Sequence, residues 1–216
     1  MTNIKGVSIY LYLVLIFASG ASVLRADHPC TSPLILDLNG NQVAVSHPSN
    51  GVDFDINGDG LNDRIGWPLW DAFLWVDLNR NGVVDDGSEF FGTSTLLPSG
   101  EFASNGFEAL AVYDELEFGG NGDGLISPGD LAWAWLRLWE DLNRDGISQR
   151  DEISPLAKKG VVWIGLDHEP LNFIDGGANR RIFRGVFGMR HRELGAWKVR
   201  EHVVEDVLFA WLPNSE

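Results

Sequence analysis

Short apolar runs divided by polar punctuation fill the first part of the chain: Leu34-Ile35-Leu36, Val43-Ala44-Val45, Val52-Asp53-Phe54 and Phe73-Leu74-Trp75-Val76, with clusters of Asn, Gly, Ser and Pro between them. Runs this short, bounded by turn formers, predict strands. From Asn105 the pattern changes. Asn105 caps a helically spaced Gly106-Phe107-Glu108-Ala109-Leu110-Ala111, Ser127-Pro128-Gly129-Asp130 precedes Leu131-Ala132-Trp133-Ala134-Trp135, and residues 150–159 read as a third helix. Strand-like segments return at 161–166, 181–186 and 196–199, and 204–212 fits either a strand or a helix. The expected fold class is α+β, β-rich in its N- and C-terminal parts around a helical middle.

Between these elements one phrase, D-x-N-x-[ND]-G, recurs. Its fullest form runs from Asp141 to Glu152 and meets the EF-hand calcium-loop pattern: Asp141, Asn143 and Asp145 offer side-chain oxygens, Ile147 a backbone carbonyl, Gln149 a direct or water-mediated contact, and Glu152 a bidentate carboxylate, with Gly146 at the sharp turn. Calcium takes six to eight hard oxygen ligands, and this spacing supplies them. A second loop offers Asp55, Asn57, Asp59, Leu61 and Asp63; Gly66 stands where a twelfth-position Glu would be, and the loop resembles the nine-residue calcium loop of integrin-type β-propeller repeats. A third offers Asp77, Asn79, Asn81 and Val83, with Asp85 or Glu89 to close it. A fourth carries Asn121, Asp123, Leu125 and Asp130 but has Gly119 in place of the first Asp, so Asp114 or Glu117 would have to reach in. Asp37-Leu38-Asn39-Gly40-Asn41-Gln42 lacks the turn glycine and reads as a bare turn.

The order of these phrases carries a resemblance. Ser32-Pro33-Leu34-Ile35-Leu36-Asp37-Leu38-Asn39, Phe54-Asp55-Ile56-Asn57-Gly58-Asp59-Gly60, Gly66-Trp67, Val76-Asp77-Leu78-Asn79-Arg80-Asn81-Gly82, Asp86-Gly87-Ser88-Glu89-Phe90-Phe91-Gly92, Asn105-Gly106-Phe107-Glu108-Ala109-Leu110 and residues 136–149 follow one another. This succession resembles the calcium-dependent self-processing module of RTX-type secreted bacterial proteins, and also secreted EF-hand proteins. The resemblance implies a calcium-ordered fold that cleaves an Asp-Pro bond at its own N-terminal edge. Here the corresponding bond is Ser32-Pro33, and the chain contains no Asp-Pro dipeptide. The signature reaction is therefore not expected, and the chain reads as a non-enzymatic module.

Charge narrows the partners. With 31 acidic against 16 basic residues the formal charge is -15, which disfavours nucleic acid and anionic membrane surfaces and favours cations. Residues 1–26, with Lys5 ahead of an apolar run and small residues after it, read as a signal peptide or, alternatively, an anchor; residues 27–216 then form a single exported calcium-binding domain, secreted or in the cell envelope. Cys30 is the single cysteine, so no internal disulfide can form and other bonds must hold the loops. There is no H-E-x-x-H, G-x-S-x-G or P-loop. Trp67, Trp75 and Trp139 lie beside acidic loops, either in the core or as a sugar-stacking face. The expectation is a secreted calcium-binding protein whose ions are mainly structural, with an extracellular protein or glycan as further partner; a self-processing or a carbohydrate-binding module is the alternative.

Overall fold

A computed structural model describes residues 31–212; the leader reading of 1–26 and Cys30 lie outside them. Eleven strands and one α-helix follow in the order β1 Leu34–Leu36, β2 Val52–Phe54, β3 Asp63–Ile65, β4 Ala72–Val76, α1 Gly106–Ala111, β5 Leu125–Ile126, β6 Leu136–Trp139, β7 Ile153–Pro155, β8 Val161–Ile174, β9 Arg180–Glu193, β10 Ala196–Leu208 and β11 Trp211–Leu212. Eight strands form one antiparallel sheet in the order β5-β8-β9-β10-β1-β4-β6-β7, and β11-β3-β2 form a second, smaller one.

Both faces of the large sheet are covered, which explains why its central strands are continuous apolar runs instead of alternating ones. Leu34, Leu36, Ala72, Leu74, Leu136 and Leu138 face a core completed by Phe107 and Leu110 of α1 together with Ile164, Phe187 and Val204. Ile35, Phe73, Trp75 and Trp139 face the other way, against Phe54, Ile65, Trp67, Phe90 and Phe209. This second core is dense with rings: Phe73 and Phe90 stack at 4.5 Å, and Trp67 lies 4.9 Å from Phe73 and 5.5 Å from Trp139. Trp67, Trp75 and Trp139 are fully buried here, so they are core and not a sugar-stacking face.

The expected helical middle is not present. Among the described residues only α1 is an α-helix, capped by the Asn105 side chain on the Glu108 N–H, and it spans six residues. The run from Leu131 makes a four-residue 3-10 turn, because Leu136 must already be extended to pair with Val76 of β4. Residues 150–159 were expected to be helical, but Pro155 forbids it: the residue before a proline is driven to extended backbone, so β7 forms and only Leu156–Lys159 coil, as a 3-10 turn. The C-terminal segment resolves as strand. The protein is mostly β, and the acidic loops are consequently not held between helices as in an EF-hand. The Asp55 loop joins the hairpin β2–β3, and the Asp141 loop joins the hairpin β6–β7, with Trp139 opposite Ile153 at its base.

Candidate metal sites

The acidic loops share one hydrogen-bonded scaffold. The first aspartate of each accepts the N–H of the sixth-position residue: Gly60 to Asp55 at 2.8 Å, Gly82 to Asp77 at 2.9 Å, and Gly146 to Asp141 at 2.9 Å. The third residue, Asn57, Asn79, Asn121 or Asn143, accepts the N–H of the fifth. The fifth residue, Asp59, Asn81, Asp123 or Asp145, then accepts the N–H of Leu61, Val83, Leu125 or Ile147 at 2.8–2.9 Å. Each loop turns through two left-handed positions; at the fourth, Arg80 and Arg144 adopt φ of 63° and 58° where the other loops have glycine.

The fourth loop recovers its missing aspartate from upstream. Asp114 accepts Gly122 at 2.9 Å and Gly124 at 2.8 Å, doing what Asp55, Asp77 and Asp141 do in their loops, while Asp130 accepts Asn121 and Ser127. Residues 115–119 loop out between them, and Gly120 passes so close that a Cβ there would stand 2.0 Å from the Asp114 carbonyl carbon. In the third loop both closing candidates converge: Asp85 accepts the Asn79 and Asn81 amides, and Glu89 reaches back to the N–H of Leu78 at 3.0 Å. Glu152 makes the equivalent reach to Leu142 at 2.8 Å. Even the Asp37 turn has the scaffold, with Gln42 at φ 80° substituting for glycine, but Val43 and Val45 point into the core and offer no side-chain ligand.

The Asp141 loop encloses both its end carboxylates, as the fourth loop does Asp114 and Asp130. Asp141 and Glu152 are buried, and the Asp141 carboxylate also accepts the Trp67 indole N–H at 2.8 Å from the aromatic core. Ser148 Oγ accepts the Val84 N–H at 2.7 Å, joining the eighth positions of the Asp77 and Asp141 loops. Burial, and then neighbouring carboxylates, push Asp63 up; burial and the charge of Asp86 raise Asp55, and burial with Glu152 raises Asp141, against the hydrogen bonds that favour ionisation. Burial pushes Glu89 up to about 7. Gln149 Oε1 is buried with no hydrogen-bond donor. Crowded carboxylates and an orphaned amide oxygen are what a hard divalent cation relieves, so these residues fit calcium. Among the described residues no group of three or more His, Cys, Asp and Glu side chains gathers; the donors here mix Asp and Glu with Asn and Gln oxygens.

A separate buried polar pair lies at the start of β1. Ser32 and Asp206 are fully buried, and Ser32 Oγ and Asp206 Oδ1 lack well-formed hydrogen bonds. Asp206 Oδ2 accepts the Gly106 N–H at the start of α1. Burial pushes Asp206 up to about 6, against that bond, the Ser32 hydroxyl and the charge of His168. Sequence reading finds no base beside Ser32, because Asp206 arrives only through the pairing of Leu34 with Asp206 in β10. Since its folded pKa is raised, Asp206 favours the fold while protonated and loses that contribution as pH climbs from 3.8 to about 6. In saturating calcium, the stability of Asp206→Asn relative to wild type should therefore grow by about 3 kcal/mol across that window. Urea unfolding of both proteins on either side of the window measures it, and a pH-independent difference would refute the assignment.

These features define a β-rich domain with acidic loops, two of them carried on hairpins, and residues 34–198 match the SPM domain; the chain belongs to that family. The iron-regulated protein FrpA of Neisseria meningitidis serogroup C is 38% identical over 158 residues, 72% of this chain. The matched segment is 14% of that relative's length.

Proposed function

We propose that this protein is an exported, calcium-binding domain in which the ions are structural, locking the hairpin loops and presenting the rest of the surface to an extracellular partner. The observation that carries this reading is the Asp141 loop, where one hydrogen-bonded turn holds buried Asp141 and Glu152 and the orphaned Gln149 Oε1. The Asp55, Asp77 and Asp114–Asp130 loops repeat its scaffold. The apolar leader pattern supports export, and outside cells calcium is abundant enough for sites of about 10⁻⁴ to 10⁻³ M to fill.

Isothermal titration calorimetry ranks the loops. Glu152→Gln should weaken calcium binding far more than Asp37→Asn, because Glu152 offers two oxygens in the most complete loop while the Asp37 turn has valines at its later positions. Equal losses would mean that the loops are not metal sites of graded quality.

The domain acts without cutting itself. An aspartate beside proline can attack its own backbone carbonyl to give a cyclic anhydride, and the Ser32 hydroxyl cannot. Intact-mass spectrometry after incubation with calcium should show an unbroken chain, and a calcium-dependent cut at Ser32-Pro33 would overturn this part of the proposal.

A further inference from the structure

The far end of β9 and β10 has no role in either core. Strand β1 pairs with β10 only from Val204 to Asp206, so residues 196–201 are joined to β9 alone among the described strands. The connecting turn is Leu194-Gly195, both left-handed at φ 48° and 85°. Such a two-residue turn suits Asn-Gly or Gly-Gly. Here a leucine takes the strained position and is wholly solvent-exposed, at 101%. Folding gains nothing from that choice, so the residue points to a use outside the fold.

Register sorts the side chains near this turn. Residues directly opposite share a face. Trp197 is opposite Arg192 and Val199 opposite Arg190, with the Arg190 guanidinium over the Trp197 ring at 5.8 Å. Trp197 is 67% and Val199 51% exposed. On the other face Glu193 pairs with Lys198, Arg200 and His191. Residues 188–201 thus hold four of the chain's 16 Lys and Arg against two carboxylates, Glu193 and Glu201, in a molecule of net charge -15.

We infer that this ribbon end docks on an anionic lipid surface. Leu194 and Trp197 enter the boundary between headgroups and acyl chains, and Arg190, Arg192, Lys198 and Arg200 lie among the lipid phosphates. Net charge alone argues against such a surface, but salt screens exposed charges beyond about 10 Å, and the ribbon end itself carries a local excess of Lys and Arg. A glycan is the poorer occupant: Arg190 already covers a face of Trp197 on which a sugar would stack, and an aliphatic apex serves no sugar.

The test is flotation of the full chain with vesicles of phosphatidylcholine alone or mixed with phosphatidylglycerol. The leader is common to every variant, so the comparison isolates the ribbon. Binding should favour the anionic vesicles and fall about tenfold in Arg190→Gln/Arg192→Gln and in Leu194→Asp/Trp197→Ser, with calcium-dependent melting unchanged. Wild-type binding by both variants, or equal binding to both vesicles, overturns the inference. So does retention on an acidic polysaccharide without vesicle binding. Loss of the calcium-dependent melting shift in wild type would instead count against the proposed function and leave this result readable.

Discussion

Chelating calcium is expected to lower the melting temperature by roughly 5–10 °C for each independent site, since an ion at a hundred times its dissociation constant adds about 2.7 kcal/mol and a domain of this size moves a few degrees per kcal/mol. The physical reason is repulsion. Asp55, Asp63, Glu89 and Asp141 are all harder to ionise than a free carboxylate because burial strips their water, and carboxylates nearby add to the cost. Without a cation the loops must either protonate or open. Thermal scans in chelator and in millimolar calcium decide it, with magnesium giving a smaller shift because it demands stricter octahedral geometry and gives up water reluctantly. An unchanged midpoint would end the case for metal in these loops.

Trp67→Ala should be among the most damaging single changes, destabilising the domain by about 3–5 kcal/mol. Its ring packs between Phe54, Phe73 and Trp139, and its indole N–H reaches Asp141 at 2.8 Å, beside the Trp139 indole that donates to Glu152 at 3.2 Å. Trp67→Phe separates the two roles. It keeps most of the packing but withdraws a donor from a buried carboxylate, costing about 1.5–3 kcal/mol. It should also weaken calcium binding in that loop alone. Denaturant unfolding and calcium titration of both variants test the pair of claims; a Trp67→Phe protein with wild-type affinity would detach the core from the site.

How far the sequence could be read depends on the range of each signal. The loop scaffold follows from residues a few places apart, and the phrases at Asp55, Asp77 and Asp141 located it. Leu34-Ile35-Leu36 announces a strand but not that it lies between β10 and β4, and its pairing with 204–206 cannot be seen from either end. The helical middle failed where a local pattern met a nonlocal demand: Leu131–Trp135 has helical composition, yet the next residue belongs to the sheet. Residues 150–159 failed for a local reason, since Pro155 was there to be read. Asp114 sits outside the motif spacing, and the Gly119-Gly120 pair beyond it was the available sign that the chain doubles back.

The position of β1 has a consequence for how the chain is made. Among the described residues it is the earliest strand of the large sheet, yet its partner β10 is the last strand of that sheet, so the centre stays open until both are present. Closing so long a loop is slow, and local contacts alone cannot substitute for it. During synthesis the earlier segments therefore have no complete sheet to settle into until β10 has been made. For the export and calcium binding proposed above, that delay would leave the chain open for passage across a membrane and let the sheet close once the whole polypeptide is delivered.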